Sequence, residues 1–109
     1  MDRIIIQSWQ TWKKHNNPPI YSVHDGTKGW VRQTIEPTLQ KCGFTFVSED
    51  YDYGFTDSAK QWAVEEAWFY LSSNDKRAGD WEFVYYCSHG NNGYMDYRAL
   101  YVRHKSKED

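Results

Sequence analysis

Asp50 and Asp52 stand in the segment Ser48-Glu49-Asp50-Tyr51-Asp52-Tyr53-Gly54-Phe55-Thr56-Asp57, the densest run of chemistry-bearing side chains in the chain. Closely spaced carboxylates on a loop are what a hard cation requires. The spacing departs from an EF-hand, however, because Gly54 falls one position early and the twelfth position is Gln61 rather than Glu. A solvated connection into a helix, with Asp57 among its capping acids, explains the carboxylates more simply, and no cofactor or metal is expected.

The same segment alternates acids with aromatics. Carboxylates can take the place of phosphates, and Tyr51, Tyr53 and Phe55 the place of stacked bases. Trp62, Glu65, Glu66 and Phe69 follow on a helix and extend that surface. The sequence therefore predicts a docking patch with Tyr51, Tyr53, Phe55, Trp62 and Phe69 as anchors and Asp50, Asp52, Glu65 and Glu66 as a charged rim. Its partner would be a protein with a basic surface, such as a nucleic-acid enzyme, reached quickly through opposite charge.

Histidine and cysteine offer the catalytic alternatives. His15, His24, His89 and His104 are scattered, and Cys87-x-His89 sets a thiol beside an imidazole that Asp96 or Asp25 could orient. An i, i+2 pair on a strand is commonly coincidental, so a small His-dependent ribonuclease is a second alternative only. Zinc needs four ligands at finger-like spacing, which Cys42, Cys87 and isolated histidines do not supply. Walker A, G-x-G-x-x-G, G-x-S-x-G and H-E-x-x-H patterns are absent.

Direct nucleic-acid binding is the first alternative. Tyr85, Tyr86, Tyr94, Tyr97 and Tyr101, flanked by Arg98, Arg103 and Lys105, could stack bases and hold phosphates. The formal net charge of −2 argues against it, since such binders are usually basic. Homodimerisation through the same aromatic hairpin is a competing use of these rings.

The elements that must position these residues follow from composition and spacing. A chain of 109 residues fits one domain and buries roughly 65% of its unfolded surface on folding. Only 39% of residues are hydrophobic while 18% are aromatic, so rings must fill much of the core. Asp2, Ile5, Trp9 and Trp12 suggest a helix over 2–15, against a competing strand through the three isoleucines. A short strand over 20–23 and a helical pattern from Thr27 to Cys42 follow, with Pro37 restarting the helix and Gly43 ending it. Phe44–Val47 alternates as a strand.

Ser58-x-x-Gln61 opens the clearest helix, to about Leu71, with Trp68 assigned to its inner arc. Trp81–Ser88 and Tyr94–Arg103 form a hairpin around Asn92-Gly93. The expected fold is α+β, a small antiparallel sheet with two or three helices on one face and a polar tail from about 104. No apolar run is long enough for a signal peptide or membrane span, so a cytoplasmic setting is expected. The small size, odd composition and lack of motifs suit an accessory or inhibitory protein, of the kind phages and mobile elements encode.

Overall fold

Ile4, Ile5 and Ile6 belong to a strand, not to the helix that the tryptophan spacing suggests. The computed structural model describes residues 3–22, 32–33, 35–52, 58–73, 79–88 and 96–105. Strand β1 spans Arg3–Ser8 and helix α1 only Trp9–Asn16. Branched side chains favour the pleated backbone, and pairing with a distant strand settles the competition. Ser8 starts the helix, its hydroxyl accepting from the Thr11 N–H at 3.2 Å. Asn17, at φ 42°, closes it with an N–H bond to the Lys13 carbonyl. Ser8→Ala should lower stability by about 1 kcal/mol in urea unfolding.

Helix α2 spans Glu36–Lys41 with Pro37 in its first turn, where the missing N–H costs nothing. Gly43 follows at φ +94°, a left-handed conformation that a side chain would oppose. Residues 20–22 are not a strand, and Val23 lies outside the described residues. Strand β2 spans Thr45–Asp52, helix α3 Ala59–Ser73, strand β3 Asp80–Ser88 and strand β4 Asp96–Lys105. The first half of the acidic segment is thus strand rather than loop. It is zipped to β4 in antiparallel register, with Asp50 opposite Arg98. At the other end, β4 includes His104 and Lys105, the first residues of the expected tail, and 106–109 lie outside the described residues.

The domain is α+β, as its sequence indicates. Among the described residues four strands are ordered β1-β3-β4-β2, with β3 and β4 in the centre. The sheet is mixed rather than antiparallel throughout, because β1 runs parallel to β3. Helices also cover both faces rather than one. Trp81, Phe83, Leu100 and Val102 pack with Ala63, Ala67 and Leu71 of α3. Val84, Tyr97, Ala99 and Tyr101 pack on the other side with Trp9 and Trp12 of α1, Leu39 of α2 and Phe44. This explains why neither face of β3 reads as polar: alternate residues enter two different cores.

Rings fill these layers as the scarcity of aliphatics requires. Trp12 stacks on Trp9 at 5.9 Å and meets Phe44 edge-on at 5.4 Å. Among the described residues, no helix is long and apolar enough to cross a membrane.

Candidate functional site

Helix α3 approaches the sheet through Ala59, Ala63 and Ala67, whose small side chains bring the helix close. Gln61, Glu65, Trp68, Phe69 and Ser72 form the opposite, exposed stripe. Within it Phe69 is 69% exposed and Trp68 49%. Glu65, Glu66 and Phe69 line a shallow groove of about 340 Å³. The Gln61 amide donates to Glu65 at 3.1 Å, fixing that carboxylate along the stripe.

Trp62 does not belong to this surface. It is only 7% exposed, and the Arg98 guanidinium covers its ring at 4.7 Å. Arg98 is held there by Asp50 at 3.2 Å and by the Ser58 hydroxyl at 3.3 Å. Helical spacing places Trp62 and Phe69 on the same margin, i to i+7, but the sheet supplies a lid only at Trp62. Trp68 is the reverse case, an exposed ring that the broad inner arc places in the core. It follows Gln61 by seven positions and Glu65 by three, and precedes Ser72 by four, which already sets it among polar neighbours.

The acidic segment is divided by its own strand geometry. Asp50 turns toward the α3 side, accepting from Arg98 and from the Tyr51 N–H at 2.9 Å. Glu49 and Tyr51 turn to the other face, where Tyr51 packs on Tyr97 at 4.7 Å and remains 51% exposed. Of the nine expected docking residues, the structure therefore groups Glu65, Glu66 and Phe69. Asp50 and Tyr51 point apart, and Trp62 is core. Asp52 ends β2, but its side chain, together with Tyr53 and Phe55, lies outside the described residues.

A buried polar network lies under α2. Glu36 accepts from Arg32 Nε at 2.6 Å, from the Tyr101 hydroxyl at 2.6 Å and from Gln40 Nε2 at 3.3 Å. Arg32 reaches on to Glu49 at 3.5 Å, which accepts from the Tyr97 hydroxyl at 2.6 Å. Burial first, and the bonds to Glu36 and Glu49 second, push the two phenols far above their usual range. The bond to Glu36 likewise raises the Arg32 guanidinium. Phenols that hold their protons this firmly are structural donors, not general bases.

Several residues of the alternative sites take part in internal packing. Tyr97 and Tyr101 are buried, and Arg103 is spent on Glu82 and the Cys42 carbonyl, both at 2.7 Å. Arg98 is also committed inside the domain, whereas Tyr85, Tyr86 and Lys105 are half-buried and Tyr94 lies outside the described residues. His15 ends α1, whereas His104 packs on Trp81 at 4.6 Å on the α3 side, so the two sit on opposite faces. His24 and His89 lie outside the described residues.

Neither cysteine is in a disulfide: Cys42 packs beneath α1 and α2. Cys87 lines a cleft of about 260 Å³ with Ser8, Lys60, Tyr85 and Tyr86. Among the described residues, no group of three or more His, Cys, Asp or Glu could hold a metal ion.

The chain matches no protein-family model, no curated protein and no solved structure. Its functional reading therefore rests on its own surface. There the exposed rings of α3, beside two glutamates, are the feature that the fold's internal packing does not use.

Proposed function

We propose that the protein acts without catalysis, as a small accessory or inhibitory protein that docks α3 onto a protein partner. Trp68 and Phe69, adjacent on one helix and with Tyr51 the most exposed rings among the described residues, carry this reading. Large rings in water are anchors for an interface, since a partner removes their apolar area from solvent. Glu65 and Glu66 give the patch its sign, so the matching surface is an apolar pocket bordered by Lys or Arg. An inhibitor of a nucleic-acid enzyme, of the kind a phage or mobile element encodes, would meet such a surface in its target's basic groove. The acidic segment forms no continuous aromatic ladder, and the charge of Asp50 is answered inside the domain by Arg98.

The test is capture from a lysate of the native host, followed by affinity measurement with the retained protein. Trp68→Ala combined with Phe69→Ala should weaken retention about thirtyfold while the helical signal stays unchanged. Unaltered retention by that double variant overturns the reading.

A further inference from the structure

We propose that the outer face of α3 is a receptor for arginine side chains of the partner, an inference that rests on the docking reading above. A guanidinium is planar and weakly hydrated, so it can lie on a ring while donating to a carboxylate. Three arginines inside this domain are held in that way. Arg32 lies 4.3 Å from the Phe46 centroid with Glu36 at 2.6 Å. Arg98 lies 4.7 Å from Trp62 with Asp50 at 3.2 Å. Arg103 lies 4.6 Å from Phe44 with Glu82 at 2.7 Å. In each, ring and carboxylate come from different elements, and the arginine fastens them together.

The outer face of α3 repeats the receiving half of this arrangement. Phe69 and Trp68 supply ring faces, and Glu65 and Glu66 supply carboxylates beside the groove. The Gln61 amide engages one oxygen of Glu65, leaving the other for an incoming donor. The only cation on α3 is Lys60, in its first turn. Among the described residues the fourth arginine, Arg3, pairs with Asp80 at 3.3 Å, so no described arginine of this chain occupies the site. A guanidinium from outside supplies the missing part. An ammonium fits less well, because it is compact, strongly hydrated and has no plane to stack.

The experiment titrates the isotope-labelled full chain with two helical peptides of equal length, one presenting arginines on one face and the other lysines. The arginine peptide should shift the amides from Glu65 to Phe69 saturably and bind about fivefold tighter than the lysine peptide. Phe69→Leu, which keeps apolar bulk but removes the ring, and the pair Glu65→Gln with Glu66→Gln should each abolish the preference. Equal affinity for the two peptides, shifts away from α3, or an unchanged preference in Phe69→Leu overturns the inference. If partner capture still depends on Trp68 and Phe69 while the peptides bind equally, only the arginine assignment falls. If capture is indifferent to both rings, the docking reading falls with it.

Discussion

Glu36→Ala should cost about 3 kcal/mol of stability, read from the shift in the urea midpoint at constant slope. The carboxylate is 2% exposed, and three donors converge on it from α2, from β4 and from the residues before α2. Removing it leaves the Tyr101 hydroxyl buried without its acceptor and the Arg32 guanidinium without its shortest ion pair. The loss falls at the low end for a broken buried pair because Arg32 remains partly solvated and retains Glu49 at 3.5 Å. Glu36→Gln keeps the shape and an acceptor oxygen, so it should lose about half as much. A loss below about 1 kcal/mol for Glu36→Ala would show that the network does not tie α2 to the sheet.

Alkaline pH should unfold the domain through the same network. Tyr97 and Tyr101 keep their protons in the folded state because of burial and their bonds to Glu49 and Glu36. In the unfolded chain they ionise near about pH 10. A group whose pKa rises on folding stabilises fully below its unfolded value and loses that contribution as pH climbs toward the folded one. Stability should therefore hold up to about pH 10 and then fall by about 2.7 kcal/mol per pH unit for the two phenols together. Urea midpoints across that range measure the slope, and Tyr101→Phe should lower it by about 1.4 kcal/mol per pH unit. A slope that Tyr101→Phe leaves intact assigns the alkaline loss to other groups.

The sequence was most legible where one local signal decided the outcome. The Asn-Gly signal between two ring-rich runs located the two central strands, and the Ser58-x-x-Gln61 spacing located α3, each within a residue or two. Gly43 and Pro37 marked the ends of α2 for backbone reasons alone. The isoleucines of β1 were harder, because their partner strand lies at the other end of the chain and no local pattern names it. Trp62 and Phe69 illustrate a second limit. Periodicity gives a residue's angle on a helix, but Arg98, projecting from β4, determines which of the two rings is covered. The acids of β2 show a third, since Asp50 and Glu49 read as a charged patch until Arg98 and Arg32 are seen opposite them.

The pairing of β1 with β3 has a consequence for the order in which the domain is made. Ile4 lies beside Trp81, so residues 9–79, about two-thirds of the sequence, separate two adjacent strands. During synthesis the first strand leaves the ribosome long before its neighbour exists, and its apolar side chains must wait. β1 can pair only once β3 has emerged, and β2 only once β4 has, so the sheet closes through non-local contacts that slow folding. Until that moment the nascent chain carries an unpaired isoleucine strand, the kind of apolar edge that invites premature association.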